Sequence, residues 1–270
     1  MPSFSVEDFS LKHTLGSGQF FTYDKDGEWY YITTPHTVFK VRQAKNKIHY
    51  DNLPENELRI FLGLAVPYPD IIQKLQKDKV LQKYIASCRG LRVMRLDPWQ
   101  CTVSFVCSSA SNIPKIRRSL LLLSQEYGKK KQYDGKHFSL FPEHGSLGKK
   151  LKDARVGFRA PFLAALNTIP TSFFTSLTLM PYNEAKQHLC SMQGIGEKIA
   201  DCILLFAYNK WEAFPVDVWI QRAINQCYFA GKEKAIRDMR QHALKIFPHY
   251  PGYAQQFLYH GFRIQAGATK

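Results

Sequence analysis

No stretch of this chain approaches the roughly 20 consecutive apolar residues that a membrane-spanning helix requires. That excludes an integral helical membrane protein. Cysteine is sparse: Cys88, Cys101, Cys107, Cys190, Cys202 and Cys227 form no Cys-x-x-Cys pair, and most lie in apolar helical runs. Free thiols in a reducing compartment are expected, and a disulfide scaffold is excluded. No secretory or transit signal opens the chain, which again predicts an intracellular protein. Internal repeats and low-complexity segments are missing too. Negative charge is the last shortage: Asp+Glu number 22 against 37 Lys+Arg, a formal net charge of +15. Such a surplus points to a polyanionic partner, either nucleic acid or an acidic membrane surface. The basic residues are spread along the chain, which suits a folded face better than a disordered arm.

What the chain does have is 270 residues, 45% of them hydrophobic. That suffices for one large domain or two modest ones with real cores. The first part reads as antiparallel sheet. A turn at Asp24-Lys25-Asp26 closes on Gly27, β-rich runs at 28–33 and 37–42 flank Thr34-Pro35-His36, and a third strand fits 47–50. Pro54-Glu55-Asn56-Glu57 opens a helical stretch, and residues 69–88 keep helical spacing across polar Lys77-Asp78-Lys79. Asp97-Pro98 is a helix start, with Asp as cap and Pro at the first position. Asn112 caps the next helix, in which Ile113, Ile116, Leu120, Leu123 and Tyr127 recur at helical spacing until Gly128. Lys129-Lys130-Lys131 and Lys149, Lys150 and Lys152 flank a loop containing Phe141-Pro142, read as solvated. Further helices are expected from Gly157-Phe158-Arg159 to Ile169, and at 183–189, 218–229, 234–246 and 253–265. The fold class is therefore α+β. A small antiparallel β-sheet domain with helices (1–96) precedes an all-helical domain (97–270), the two packed together.

The most informative stretch runs from Leu189 to Cys202. Gly194 and Gly196 interrupt a helical pattern and the apolar run 199–207 follows at once, which predicts helix, tight glycine hairpin, helix. Glycines there permit positive φ and leave main-chain amides uncovered for an approaching phosphate. Lys198 falls in the first turn of the second helix, where the macrodipole disfavours added positive charge. It reads as a phosphate contact or as an amine held ready to react, the plainer alternative being a solvated surface lysine. Asp217 follows Pro215 at the next helix start. It is either a plain N-cap or a carboxylate that stabilises cationic charge on a sugar and helps to move protons.

Together these residues resemble the helix-hairpin-helix DNA glycosylases, and among them the 8-oxoguanine DNA glycosylase/lyases. The matching runs are Asp97-Pro98 through Phe105-Val106-Cys107-Ser108-Ser109, Gly157-Phe158-Arg159-Ala160, Gly194 through Cys202, and Pro215-Val216-Asp217-Val218. Weaker matches at Gly16-Ser17-Gly18-Gln19 and Tyr253-Ala254-Gln255 extend the resemblance over almost the whole chain. It implies a bifunctional enzyme of base excision repair acting on damaged double-stranded DNA, as a monomer located with genomic DNA. Lys198 would attack the anomeric carbon of a flipped nucleotide, displace the base, form a Schiff base and allow β-elimination. Asp217 would stabilise the sugar-centred cation. Gly194 and Gly196 would grip the backbone, and the carbonyls of Cys190, Met192 and Ile195 would hold a monovalent cation, with no cofactor required. In the base pocket, the Gly18 carbonyl would read the ring proton that guanine lacks. Cys202 and Tyr259 would sandwich the base, Gln255 would reach its Watson–Crick edge, and Phe206 is placed in the same pocket.

The departures lie on the side that reads the opposite base. Where the eukaryotic members carry a run of asparagines and then an arginine, this chain has Ala110, Ser111, Asn112 and Lys115. Ala110 has no hydrogen-bonding side chain and Lys115 lacks the planar fork of arginine. Arg159 remains, Phe158 is a credible wedge, and Trp219 stands where a phosphate-contacting histidine is typical. Relaxed opposite-base preference is the expectation. The endonuclease III group usually carries four cysteines for an iron–sulfur cluster near the carboxyl terminus; here only Cys227 follows Asp217, so no iron–sulfur cluster is expected. Two alternatives stay open: an alkylpurine glycosylase of the same fold, which generally lacks the lysine, and a non-catalytic hairpin module that only binds DNA.

Overall fold

The computed structural model of the protein describes residues 1–148, 151 and 154–268, so Lys149, Lys150 and Lys152 lie outside the described residues. The amino-terminal part is built as β1 (Ser3–Ser5), α1 (Leu11–Gly16), β2 (Tyr23–Asp26), β3 (Trp29–Thr33), β4 (Val38–Ala44) and β5 (Lys47–Asp51). The five strands form one antiparallel sheet in the order β1-β5-β4-β3-β2. Three expected strands are present at nearly the expected places. Asp24-Lys25-Asp26 is not the turn, however: it is the outer strand β2, pairing with Trp29–Tyr31, and the turn falls on Gly27 and Glu28. The polar side chains misled because β2 is an edge strand exposed over most of its length.

Helices α2 (Glu55–Phe61), α3 (Tyr68–Leu75) and α4 (Lys79–Ser87) follow. The polar break at Lys77-Asp78-Lys79 separates the last two because Asp78 caps α4, accepting from the amide of Leu81 at 2.7 Å. Next come α5 (Pro98–Cys107) and α6 (Ile113–Tyr127), capped by Asp97 and Asn112 as their sequences predict. The carboxyl-terminal part adds a 3-10 turn (Gly157–Arg159), α7 (Ala160–Leu166), α8 (Thr171–Ser176), α9 (Tyr182–Cys190), α10 (Glu197–Tyr208), α11 (Val218–Tyr228), α12 (Ile236–Ile246) and α13 (Pro251–Gln265). The helix expected from Gly157 to Ile169 is thus the 3-10 turn followed by α7, which stops at Leu166; α8 lies beyond it, was not expected, and has Pro170 as its N-cap.

The lysines after Gly128 are not in a plain loop. Strands β6 (Lys130–Tyr133) and β7 (Lys136–Ser139) form a hairpin across Asp134-Gly135, both at positive φ. This Asp-Gly pair between alternating residues was the available signal. The hairpin is a separate two-stranded sheet that packs against the larger one through side chains. Phe138 stacks on Tyr31 with centroids 5.6 Å apart, and Asp134 accepts from Lys40 (2.7 Å) and Tyr31 (2.5 Å). Other ties between the sheet and the helices run through Gln100 of α5, which donates to Thr22 Oγ1 and the Thr33 carbonyl. At the core, α10 is buried from Ile199 to Tyr208 and α13 from Pro251 to Leu258. Both helices carry expected site residues, so the site rests on deeply buried elements of the fold.

Candidate active site

The hairpin between α9 and α10 closes through Ile195, whose amide donates to the Met192 carbonyl at 3.1 Å. Gly194 has φ +87, and a Cβ there would lie 2.5 Å from the Phe162 ring, so the turn requires glycine. Gly196 differs from expectation: its φ is −87, an extended N-cap of α10. A Cβ there would meet nothing within 4 Å. Its contribution is a bare surface beside the first amides of α10, which no side chain caps.

Lys198, in the first turn of α10, is half-buried. Its Nζ donates to Ser108 Oγ at 3.2 Å and lies 5.3 Å from the centroid of the Phe105 ring. Ser108 is the C-cap of α5, so the two helices meet at the amine. No pattern in the sequence singles out Ser108 for this contact, because it depends on how α5 crosses α10. Asp217 caps α11, its Oδ1 accepting from the Ile220 amide at 2.9 Å. Burial raises its carboxyl above the ordinary carboxylate value, against the lowering effects of that amide and of the nearby Lys198 ammonium. Capping thus leaves Asp217 buried beside Lys198 with its second carboxyl oxygen outside that bond.

Lys198 and Asp217 line one cavity of about 1020 Å³. Of the expected site residues, Gly18, Asn112, Gly194, Ile195, Gly196 and Tyr259 line it too. Gly18 has φ +73, and a Cβ on it would come 2.9 Å from Tyr259 Oη. The tyrosine thus lies across the glycine, and burial pushes its phenol up to about 12. Cys202, Gln255 and Phe206 are 3%, 4% and 3% exposed and do not reach the cavity wall. Burial pushes the Cys202 thiol up to about 12. Phe206 is core, stacked on Phe105 at 5.4 Å. Gln255 Nε2 donates to the Pro215 carbonyl at 3.1 Å, while its Oε1 is buried without a partner.

At the rim, Phe158 is 58% exposed and Lys115 is exposed. Asn112 Oδ1 is engaged as the α6 cap by the Lys115 amide at 3.0 Å. Arg159 donates to the carbonyls of Val156 and Ser109, and its guanidinium sits 4.4 Å from the Phe158 centroid. Neither Cys190 nor Met192 lines the cavity. Arg263 was not anticipated. It lines the wall, is 7% exposed, and lies 5.1 Å from the centroid of the Tyr259 ring. Its position four residues after Tyr259, on the same helix face, was the signal.

The amino-terminal residues 3–102 match the family model for the 8-oxoguanine DNA glycosylase amino-terminal domain. A probable N-glycosylase/DNA lyase of Methanothermobacter thermautotrophicus is 30% identical over 244 residues, covering 79% of this chain and 78% of that protein. The chain belongs to the 8-oxoguanine DNA glycosylase/lyase family. The N-glycosylase/DNA lyase of Arabidopsis thaliana is 29% identical over 282 residues, 93% of this chain and 77% of that protein. Among solved structures, the Clostridium acetobutylicum 8-oxoguanine glycosylase/lyase in complex with double-stranded DNA containing cytosine opposite the lesion superposes with a TM-score of 0.90 at 26% identity. It covers 98% of this chain and 99% of that one. The α+β architecture expected for this glycosylase/lyase family is the one observed.

Proposed function

We propose that the protein excises 8-oxoguanine from double-stranded DNA and cleaves the strand, with Lys198 as nucleophile and Asp217 as the supporting carboxylate. The observation that carries this reading is that both side chains line the same cavity, each at a helix start beside the glycine hairpin. The unprotonated amine attacks the anomeric carbon, the bond from sugar to base breaks, and the base leaves with the bonding pair. Asp217 faces the positive charge that develops on the sugar. Ring opening then gives a Schiff base on Nζ, and loss of a proton from the neighbouring sugar carbon expels the 3′ phosphate. Ser108 holds the amine in place between attacks, through the bond to its hydroxyl.

Flipping a base costs a few kcal/mol, so the enzyme needs a grip, a wedge and a pocket. The uncapped amides after Gly196 supply the grip, and exposed Phe158 supplies a wedge. For a base to reach Cys202 and Gln255, the Tyr259 ring turns away from Gly18. The unpartnered Gln255 Oε1 then accepts from the Watson–Crick edge, which removes the cost of a buried vacant acceptor. The Gly18 carbonyl accepts the ring proton particular to 8-oxoguanine. Among the described hydrogen bonds none goes to the carbonyl of Cys190 or Ile195. With Met192 they make a neutral oxygen set suited to a monovalent cation at the hairpin.

Opposite-base preference is relaxed in this reading. Ala110 stands at φ +45 with no polar group, and Arg159 is held by the Ser109 carbonyl. Borohydride trapping on duplexes with one 8-oxoguanine opposite each of the four bases tests the whole reading. A covalent adduct is expected with the wild type opposite every base and none with Lys198→Gln. An adduct that persists in Lys198→Gln removes the nucleophile assignment, and strict dependence on cytosine removes the relaxed preference.

A further inference from the structure

Loop 16–18, which carries the base-reading carbonyl, is gripped from one side by a single face of α13. Gln256 Nε2 donates to the Ser17 carbonyl at 2.7 Å, across 239 residues of chain. Three positions on, Tyr259 Oη lies 2.9 Å from where a Gly18 Cβ would be. Four positions on, His260 Cε1 lies 3.9 Å from the corresponding point at Gly16. These spacings put all three side chains on one helix face. Gln256 and Ser17 are 1% and 0% exposed, so water has no route to replace their bond.

We propose that Gln256 is a positioning residue for lesion recognition, fixing the peptide that aims the Gly18 carbonyl. The proposal rests on the reading of Gly18 given above. A peptide group rotates by changing ψ of the residue before it and φ of the residue after it. When the second residue is glycine, both signs of φ are open and the flip meets little steric resistance. Gly18 sits at φ +73, and a bond to the 17–18 peptide itself holds that state directly. The Gln256 amide is that bond. Loss of that bond frees φ of Gly18, and rotation about its N–Cα bond that ψ of Ser17 does not cancel swings the Gly18 carbonyl, in the next peptide, away from the base.

Attachment of the loop to the fold does not depend on Gln256. Gln19 secures it independently: its Nε2 donates to Ser17 Oγ (2.9 Å), the Thr14 carbonyl (3.1 Å) and the Arg92 carbonyl (2.8 Å), and its Oε1 accepts from the Met94 amide (2.8 Å). Leu11 and Leu15 are each 1% exposed and bury α1 in the core. Gln256 therefore adds orientation to a loop already anchored, and its removal separates reading from folding.

The experiment compares wild type with Gln256→Met, which keeps length and loses the donor, and Gln256→Glu, which keeps shape and alters the donor. Each is assayed under single turnover on a duplex with one 8-oxoguanine, on the same duplex with guanine, and on one with a preformed abasic site. The abasic substrate uses Lys198 but offers no base to read. The expected result is about a tenfold loss of 8-oxoguanine release in Gln256→Met, the order of one buried hydrogen bond. Discrimination over guanine falls with it, while abasic cleavage stays at the wild-type rate. Equal losses on both cleavable substrates would make Gln256 merely structural and overturn the proposal. So would full retention of 8-oxoguanine release by both variants while wild type still discriminates, an outcome that leaves the reading of Gly18 standing. If wild type itself does not prefer 8-oxoguanine to guanine, the reading of Gly18 falls and carries this proposal with it.

Discussion

At Asp217 one carboxyl serves two purposes that pull against each other. As N-cap it satisfies the Ile220 amide; as an ionised group at a buried site it is costly, and burial raises its pKa. The sign for stability follows. A folded pKa above the unfolded one means the folded state binds the proton more tightly. That contribution is fully present below the ordinary carboxylate value and is lost as pH rises through the raised value. Asp217→Asn keeps a capping oxygen and removes the ionised form. We expect it to lower base release by roughly 10²-fold or more. Its melting temperature at neutral pH should equal or exceed that of wild type, with the gap closing in acid. A melting temperature clearly below wild type at neutral pH would contradict the assigned cost.

Among the elements, the hairpin is held from beneath by an ion cluster that the sequence did not announce. Asp201 of α10 is fully buried and receives Lys186 of α9 at 2.9 Å, Arg240 of α12 at 3.0 Å and Tyr182 of α9 at 2.6 Å. Lys186 and Arg240 also reach Glu197, beside Lys198. The cluster fixes the angle at which α10 leaves the hairpin. Asp201→Ala would remove the buried partner and leave Lys186 and Arg240 with exposed Glu197 as their carboxylate, and an unfolding free energy lower by about 3–5 kcal/mol is expected in urea titration. A loss under about 1 kcal/mol would mean the cluster is screened like a surface pair. Spacing within α10 placed Asp201 beside Lys198 but gave no partner, because its partners come from two other helices.

For the molecule as a whole, the net charge of +15 is the property most open to a solution test. Pairs such as Lys40–Asp134, Arg42–Glu28 and Arg89–Asp8 cancel one charge of each sign and leave that surplus whole. The surplus should set non-specific duplex binding. Its logarithmic affinity should fall linearly with the logarithm of salt, with a slope near −0.9 for each phosphate neutralised. Fluorescence anisotropy with undamaged duplex across a salt series reads that slope. An affinity indifferent to salt would sink the electrostatic account.

Much of this protein was legible in order along the chain. Caps at Asp97, Asn112 and Asp217, the glycine hairpin and the lysine behind it are local features, written in neighbouring residues and therefore readable. Edge strand β2 and hairpin β6-β7 were not read, because their polar residues owe their strand form to pairing and to a sheet beneath them. The same division runs through the site. The sequence by itself singled out the groups to which the proposed function assigns the chemistry, since Lys198 and Asp217 each sit at a helix start marked by local signals. Only the tertiary structure decided what surrounds them: Ser108 on the amine, Tyr259 across Gly18, Arg263 on the wall, and Gln256 beneath the Ser17 peptide. Each of those contacts joins residues far apart in the chain. Local propensity cannot encode them; they come from the way α5, α10 and α13 pack around one core.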